Sequence, residues 1–285
     1  MSGAAYDAAF FAGHAPGAAS SARRRLPAVL GIPGGGAVLG VGWGGGGGRG
    51  AGGAAWWGRR GGRALLEITG GGSIGDVGWG VGAWLGVARE LGVADVRGVD
   101  GAWVRAEELR IPRGMFERAD LARPFAMGRA FDLAISLEVG EHLPEGSAPG
   151  FVESITRLAP VVAFSAAIPR QGGTGHVNER WPGYWAGLFA GHGYRAIDCV
   201  RERVWDDAGV EWWYAQNTIV YASEGALAGS ERLRELERTR GGEPRALVHP
   251  GCFEAKATQP IGLRRMLREF PGAALGAARG LMGRP

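Results

Sequence analysis

The run Asp76-Val77-Gly78-Trp79-Gly80-Val81-Gly82 places an acidic residue and three alternate glycines between a predicted strand and a predicted helix. Glycine lets backbone N–H groups approach a ligand closely, and a helix N-terminus favours an electronegative partner. The next predicted strand ends at Asp100, eighteen residues after Gly82, where a carboxylate can accept both hydroxyls of a ribose. The two features together predict a site for a nucleoside-bearing cofactor, although an Asp before Gly101 also suits a surface turn.

The glycine spacing separates two classes of cofactor. Dinucleotide-binding enzymes of the hydride-transfer type use G-x-G-x-x-G, whose third glycine packs the helix against the strand. In this chain the third glycine, Gly82, comes one residue earlier, and Asp76 precedes the first. The spacing therefore disfavours a nicotinamide-dependent oxidoreductase, which is the weakest alternative.

Polar residues also follow the third and fourth predicted strands. Asp120 ends the third strand, near where an adenine would lie, and the segment Phe131–Leu143 supplies the fourth strand and a loop with Glu138 and His142. In open α/β sheets, ligands bind at the carboxyl edge of the strands. We therefore expect this edge to carry the site.

The segment Ile168–Trp185 is polar, aromatic and rich in glycine, which suits a loop that covers a substrate. His176 is a candidate general base because imidazole titrates near neutrality. Alternatively, His176 and Asn178 bridge backbone groups of the loop, and packing against the sheet is the favoured interpretation for Trp181. His142 either serves the chemistry or caps the helix after the fourth strand.

The segment before the last predicted strand is rich in acidic and aromatic residues. It contains Asp206-Asp207 and Glu211-Trp212-Trp213-Tyr214. Such a segment can form one wall of the pocket, but an aromatic run packs more often in a core or a lid, and that interpretation is favoured.

Short β-rich runs alternate with helical stretches from residue 63 onward, which predicts a doubly wound α/β sheet. The predicted strands are Ser73–Val77, Val96–Asp100, Phe116–Ala119, Phe131–Leu137, Val161–Ala167, Tyr194–Val200 and Asn217–Ala222. The predicted helices are Ala64–Ile68, Trp84–Leu91, Glu145–Leu158, Tyr184–Gly191, Ser230–Arg240 and Ile261–Phe270.

These motifs resemble the Rossmann-like class of S-adenosylmethionine-dependent methyltransferases. The likeness covers Ala64 to Ser223, and is most specific to a bacterial group with Phe-Asp-Leu, Ser-Leu-Glu-Val, Glu-His-Leu-Pro and His-Val-Asn-Glu-x-Trp-Pro segments. It implies a mostly parallel, seven-stranded sheet whose last strand is antiparallel. It also implies S-adenosylmethionine as the cofactor and methyl transfer to a small-molecule or glycan-like acceptor.

The resemblance assigns roles to particular residues. The acid and glycines of the first loop would wrap the methionine part, Asp100 would hold the ribose, and Asp120 would meet the adenine amino group. The implied cofactor-binding residues are Asp76, Gly78, Gly80, Gly82, Asp100, Ala119, Asp120, Leu121, Leu137 and Glu138. On the acceptor side, the candidates are His176 and His142 for catalysis and Asn178, Trp181 and Tyr184 for binding.

Two features depart from the group's pattern. Trp79 and Val81 stand between the glycines, where small residues are usual, and residues 28–46 repeat as residues 64–82 with Gly40 in place of Asp76. A large indole in that loop can block the cofactor. The alternative function is therefore a catalytically impaired, methyltransferase-like binding module.

The resemblance and the composition divide the chain into four predicted segments. Residues 1–30 are predicted to be helical, and residues 31–62 to be a mobile, Gly-rich insert. Residues 63–223 are predicted to form the methyltransferase domain, and residues 224–285 a helical C-terminal appendage.

The composition excludes several other classes. The net charge is +4, but acidic residues are interspersed among the 32 basic ones, which argues against nucleic-acid binding. No apolar run is long enough to predict a membrane span, and two cysteines fit a reducing cytoplasm.

Motifs of other catalytic classes are missing from the sequence. The remaining histidines have no H-x-x-x-H spacing, so the sequence predicts no metal. It also contains no nucleophile elbow and no P-loop. Oligomeric state is left open.

Overall fold

The structure is a computed structural model that describes residues 72–78, 80, 82–90, 92–102, 104, 112–208 and 210–258. The predicted helices Ala64–Ile68 and Ile261–Phe270, the segments 1–30 and 31–62, and both departures from the glycine motif, Trp79 and Val81, lie outside the described residues.

Seven strands form one sheet in the order β3-β2-β1-β4-β5-β7-β6. The neighbouring pairs from β3 to β5 are parallel, whereas β7 runs antiparallel to both β5 and β6. The strands are β1 Ser73–Val77, β2 Asp95–Asp100, β3 Phe116–Arg118, β4 Leu133–Leu137, β5 Val161–Ser165, β6 Tyr194–Ile197 and β7 Ile219–Ser223. The doubly wound, mostly parallel sheet with an antiparallel last strand is confirmed.

Helices cover both faces of the sheet because the central strands are apolar on both faces. In β4, Leu133 and Ile135 join one buried cluster, and Ala134 between them joins the other. The helices are α1 Ala83–Glu90, α2 Ala148–Leu158, α3 Pro182–Ala190, α4 Arg201–Val204, α5 Trp212–Asn217, α6 Glu224–Gly229, α7 Glu231–Arg240 and α8 Pro250–Ala257. Short 3-10 helices occur at Arg113–Met115, Gly140–His142 and Glu145–Ser147.

The two cores have different partners. Tyr214 of α5 and Leu236 of α7 belong to the cluster of Leu133, whereas Phe151 of α2 and Phe189 of α3 belong to the cluster of Ala134. Each cluster therefore covers one face of the sheet, and this packing holds the ends of the strands in place. None of the helices within the described ranges is both long and apolar enough to cross a membrane.

The region around β7 differs from the prediction. The sequence predicted a strand from Asn217, but Asn217 ends helix α5, which is closed by a hydrogen bond from the Thr218 hydroxyl to the Tyr214 carbonyl at 2.8 Å. The β-branched run then starts two residues later, at Ile219. The extra helix aims the amide of Asn217 into the protein interior, where it is 3% exposed.

The C-terminal part contains more helix than the sequence indicated. Side-chain caps from Ser223 and Ser230 start α6 and α7, and Leu233 and Leu236 join the core of the sheet. Helix α8, which the sequence did not predict, begins at Pro250 and belongs to a separate compact unit. The four-segment division of the chain stays a prediction.

The glycine turn after β1 depends on backbone conformations that other residues rarely adopt. Gly78, Gly80 and Gly82 have φ angles of 77°, 58° and 82°. At Gly78, a β-carbon would also lie 2.4 Å from a methyl group of Val139, in the loop after β4. The turn therefore needs glycine at position 78 for two independent reasons, conformation and close approach.

We expect Gly78→Ala to destabilise the protein strongly, because alanine adds the cost of a left-handed residue, about 1–2 kcal/mol, to the displacement of Val139. Chemical denaturation followed by circular dichroism measures this loss. Gly128→Ala is the matched control, since Gly128 has a φ of 66° and open space at its β-carbon. Equal losses in both variants would show that the contact with Val139 does not matter.

Candidate functional site

The site is located where the strand order reverses. Strand β1 pairs with β2 on one side and with β4 on the other, so the connections that leave β1 and β4 go to opposite parts of the sheet. Such a switch point opens a crevice at the carboxyl ends of the strands, where ligands bind in open α/β sheets. The glycine turn follows β1 at this edge, and Glu138 follows β4 there.

The glycine turn and Asp100 are in direct contact. The backbone N–H of Gly80 donates to one carboxylate oxygen of Asp100 at 2.7 Å, and the N–H of Gly101 donates to the other at 2.6 Å. The N–H of Gly78 donates to the carbonyl of Val99 at 2.9 Å. Asp100 thus joins the loops that follow two neighbouring strands, which is the juxtaposition that the sequence predicted.

Two buried carboxyl groups lie at this junction. Asp76 is 2% exposed and Asp100 is 1% exposed. Burial raises the pKa of Asp100 to about 7, although its hydrogen bonds from Gly101 and Gly80 oppose the rise. Burial, and then the charge of Asp100, raise the pKa of Asp76 well above its usual range. One Asp76 oxygen, Oδ2, has no hydrogen-bond partner among the described residues.

The end of β3 supplies part of the predicted adenine site. The N–H of Ala119 donates to the backbone carbonyl of Asp100 at 2.9 Å, so Ala119 lies beside the residue whose carboxylate contacts the glycine turn. Leu121 is 3% exposed and packs in the core. Asp120 is exposed, and its carboxylate accepts from the N–H of Ala122 at 3.0 Å. The adenine-binding role of these three residues stays a prediction.

A buried network of amide side chains surrounds Glu138 at the end of β4. Its carboxylate accepts from the Asn217 amide at 3.0 and 3.2 Å and from the Gln171 amide at 3.1 Å. The Gln171 carbonyl oxygen in turn accepts from Gln216 and from Asn217, both at 2.9 Å. Burial raises the pKa of Glu138, and the hydrogen bonds from Asn217, Ser165 and Gln171 oppose that rise.

Glu138 is also strained at its backbone. Its φ of 58° lies in the left-handed region, which only one other non-glycine residue of the described ranges adopts, Arg170. A positive φ in such a residue costs about 1–3 kcal/mol and persists where the surroundings hold it. The amide network holds the Glu138 side chain in this conformation. Leu137, the residue before it, is half-buried.

Sequence reasoning missed Gln171, Gln216 and Asn217 as part of the site. Gln171 lies in the loop after β5 that the sequence singled out, and Gln216 and Asn217 follow the acidic and aromatic segment at the end of α5. Nothing in either segment marks these amides as parts of one network. One signal was available: the chain has only two asparagines, Asn178 and Asn217. Both are buried at 3% exposure in the region of the site.

Two histidines from different segments face each other. The rings of His142, which ends the 3-10 helix after β4, and His176, in the loop after β5, lie 4.8 Å apart at 88°. His176 Nδ1 lies 2.9 Å from a carboxylate oxygen of Glu179. Burial, then the charge of His176, lower the pKa of His142 to about 3, so its imidazole is neutral at neutral pH. The structure therefore brings the two predicted catalytic residues together.

The loop that carries His176 is tied to the 3-10 helix after β4. The N–H groups of Val177 and Asn178 both donate to the Glu141 carbonyl, at 2.8 and 3.0 Å. The Asn178 side-chain oxygen accepts from Arg180 at 3.1 Å. The Asn178 Nδ2 has no hydrogen-bond partner among the described residues, so the structure does not show its side chain bridging backbone groups of the loop. Its interaction with an acceptor stays a prediction.

The aromatic residues at the start of α3 divide between the surface and the core. Trp181 is 40% exposed, so the favoured interpretation that it packs against the sheet is wrong. Trp185, one helical turn later, takes that place and lies 5.0 Å from the Phe164 ring of β5. Tyr184 is half-buried, with the Arg180 guanidinium 5.2 Å from its ring centre.

The aromatic run before β7 packs mainly inward. Tyr214 is 1% exposed and meets Trp84 of α1 edge-on at 5.5 Å, and Trp213 packs against the same core cluster. The interpretation of this run as core packing is confirmed for these residues. Asp206 is exposed, and Asp207 is half-buried with its N–H bonded to the Val204 carbonyl at 3.3 Å.

No family model and no curated protein matches this sequence. Several solved structures do match. The glycopeptide N-methyltransferase MtfA, complexed with sinefungin, is 17% identical over 38% of this chain and 54% of its own, with a TM-score of 0.32. This chain therefore spans about half the length of MtfA.

Two further matches cover more of their own chains. An amino pentose methyltransferase from Micromonospora echinaspora, involved in calicheamicin biosynthesis, is 16% identical over 56% of this chain and 87% of its own, with a TM-score of 0.42. The magnesium protoporphyrin IX methyltransferase of Synechocystis is 17% identical over 56% and 80%, with a TM-score of 0.40. All three are methyltransferases, the class that the sequence resembles. At such low identities and TM-scores, the fold assignment rests on the strand order and directions described above.

Asp76 generates a prediction about pH and stability. In the unfolded chain its carboxyl ionises near pH 3.9, whereas in the folded protein the pKa is raised. Folding therefore opposes the charge, and stability is lost as the pH rises from about 4 toward the raised pKa. We expect Asp76→Asn to melt at a higher temperature than the unsubstituted protein at pH 8, with the gap shrinking toward pH 4. Thermal unfolding at both pH values tests this, and a gap independent of pH would contradict it.

Proposed function

We propose that this protein is an S-adenosylmethionine-dependent methyltransferase that acts on a small-molecule or glycan-like acceptor. One observation carries the proposal: three left-handed glycines after β1 lie against the carboxylate that ends β2, with Gly80 N–H 2.7 Å from Asp100. The strand order and the antiparallel β7 support it. Together they support a cofactor crevice in which the Asp100 carboxylate would hold the ribose.

The residues present fit an adenosyl cofactor. Each oxygen of Asp100 accepts one backbone N–H, and a carboxylate oxygen can accept a second hydrogen bond. Asp100 therefore retains one acceptor position per oxygen, which suits the two hydroxyls of a ribose. Glu138, Leu137 and the glycine turn would enclose the methionine end, at the carboxyl ends of β4 and β1.

Bound there, the cofactor supplies an electrophilic methyl group on a sulfonium sulfur. The protein's main task is to place an acceptor in line with that group, because orientation alone supplies much of the acceleration of such a displacement. The loop from Gly172 to Arg180 contributes to this placement. It is held by the bonds from Val177 and Asn178 to Glu141 and by the bonds from the Arg170 and Gly172 N–H groups to Glu179.

His176 and His142 are the proposed catalytic residues. Of the two, His176 suits the removal of a proton from the acceptor, since Glu179 holds its ring and balances the charge of an imidazolium. His142, with its pKa lowered to about 3, is a weak base and serves better as a neutral electron-pair donor. Asn178, Trp181 and Tyr184 are the proposed acceptor-binding residues, and the exposed face of Trp181 suits stacking on a sugar ring.

The proposal includes a cytoplasmic location, because the two cysteines are both free thiols.

The alternative function is that of a methyltransferase-like binding module without catalytic activity. The two experiments below, on cofactor affinity and on the rate of methyl transfer, distinguish this alternative from an enzyme.

Asp100→Asn is expected to weaken the binding of S-adenosylmethionine or its demethylated product by about 10- to 100-fold. It replaces a charge-assisted acceptor, whose hydrogen bonds are worth about 1.5–3 kcal/mol, by a neutral amide. Isothermal titration calorimetry measures the affinity directly.

Asp95→Asn is the matched control, because Asp95 lies at the opposite end of the same strand, where it pairs with Arg129. Its affinity is expected to equal that of the unsubstituted protein. Affinity should also fall as the pH is lowered through about 7, since the free Asp100 carboxyl takes up a proton there. If the unsubstituted protein binds no cofactor at millimolar concentration, the proposed function is wrong.

His176→Ala is expected to lower kcat by about 100-fold or more for an acceptor that must lose a proton, while the cofactor Kd stays unchanged. Transfer of a labelled methyl group to a panel of sugars and small alcohols and amines gives the rate. His192→Ala is the control, because His192 is exposed at the end of α3. A His176→Ala variant with normal kcat on such an acceptor would remove His176 from the chemistry.

A further inference from the structure

Three potential metal ligands converge beside the loop after β4. One nitrogen of His142, one nitrogen of His176 and one carboxylate oxygen of Glu141 all lie within 4.8 Å of one another. The residues come from two segments that are far apart along the chain. A search for histidines at regular spacing cannot detect such a group, and the sequence accordingly predicted no metal.

Glu141 is the feature of this group that most needs explanation. Its side chain is 0% exposed, and neither carboxylate oxygen has a hydrogen-bond partner among the described residues. The backbone amides of Glu141 and Ala167 favour its charged form. A buried carboxylate without partners is costly unless it is neutralised or binds a cation.

The charges around Glu141 also favour a cation. The carboxylates of Glu138 and Glu179 lie close enough for their negative charges to act on Glu141. The amide network satisfies Glu138, and backbone N–H groups satisfy Glu179. Glu141 has no amide side chain of this kind, and neither of its carboxylate oxygens has a hydrogen-bond partner among the described residues, although it lies in the same acidic surroundings.

The two imidazoles are oriented as ligands. His176 Nδ1 lies 2.9 Å from Glu179 Oε1, and Glu179 is itself fixed by the N–H groups of Arg170 and Gly172 at 2.7 and 2.6 Å. This is the carboxylate–histidine arrangement that orients metal-binding imidazoles and leaves the second nitrogen for the ion.

His142 has a matching support. A hydrogen bond between its ring and the backbone of Gly175 holds the imidazole and leaves one ring nitrogen for a metal.

We propose that Glu141, His142 and His176 bind a divalent first-row transition-metal cation. Two imidazoles and one carboxylate form a ligand set that suits such ions and leaves coordination positions open. Metal–ligand bonds of about 2.0–2.2 Å place neighbouring ligand atoms about 3–3.5 Å apart. The three side chains therefore need to approach one another by about an ångström.

The ion would alter the chemistry assigned to the same side chains. An imidazole bound to a metal cannot take up a proton, so His176 acts as a base only in the metal-free protein. The binding of the ion itself does not rest on the proposed methyl transfer, and it is tested without a methyl acceptor or cofactor.

Cobalt(II) is the probe, because its visible absorption reports the ligands and geometry of its site. We expect the full-length protein, freed of metal with a chelator, to bind one Co²⁺ per chain with a visible band that Zn²⁺ abolishes by competition. Glu141→Gln and His142→Ala are each expected to weaken this binding at least tenfold, whereas His192→Ala leaves it unchanged.

Folding of the variants is checked by thermal unfolding. Glu141→Gln is expected to melt at least as high as the unsubstituted metal-free protein at pH 8, because it removes a buried, unpartnered charge. Zn²⁺ should raise the melting temperature of the unsubstituted protein but not of Glu141→Gln. Absence of a Co²⁺ band at millimolar metal, or equal binding by the folded Glu141→Gln and His142→Ala variants, would overturn the proposal. Cofactor binding without Co²⁺ binding would leave the proposed function standing and remove only the metal site.

Discussion

The contact between Gly80 and Asp100 is the constraint on which the crevice depends. The described glycines of the turn have no side chains, and their backbone N–H groups bond to β2: Gly78 donates to the Val99 carbonyl and Gly80 to the Asp100 carboxylate. Both partners belong to β2, and the β2 register on β1 therefore fixes the turn. Since the turn follows β1 and the carboxylate ends β2, a shift in the pairing of these two strands would separate Gly80 from Asp100.

A second constraint is the cost of buried acidic groups. Asp76, Asp100, Glu138 and Glu141 are all nearly inaccessible to solvent, and each lies at the carboxyl edge of β1, β2 or β4 or just beyond it. Their supports differ: backbone N–H groups for Asp100, and amide side chains for Glu138. A fold that retains four such carboxyls in one region gives up stability there, as proteins commonly do where they bind charged or polar ligands.

Much of the fold was predictable because it follows local rules. The short, nearly continuous apolar runs and their alternation with helical stretches placed all seven strands, and β1 has the predicted bounds, Ser73–Val77. The ends were harder to predict: β4 starts at Leu133 rather than Phe131, because the Phe131 ring packs against Gly75 and its N–H bonds to the Leu158 carbonyl instead of a strand. Such a packing contact depends on residues far along the chain, which a local pattern does not contain.

The site was predictable only where its residues form a compact motif. Asp76, the glycines and Asp100 were found because spacing and strand ends locate them, and His142 and His176 because their surroundings are polar and rich in glycine. The amide network and the surroundings of Glu141 are different, since each brings together residues from β4, the loop after β5 or helix α5. Their significance lies in which buried atoms have partners, and that depends on three-dimensional packing.

Glu138 and Glu141 illustrate the point, because they stand three residues apart and have the same side chain. Amide side chains bond to the carboxylate of Glu138, whereas the carboxylate oxygens of Glu141 have no hydrogen-bond partner within the described residues. The difference arises because the left-handed turn at Glu138 points its side chain toward α5, whereas Glu141 lies one helical turn further on, beside the two imidazoles.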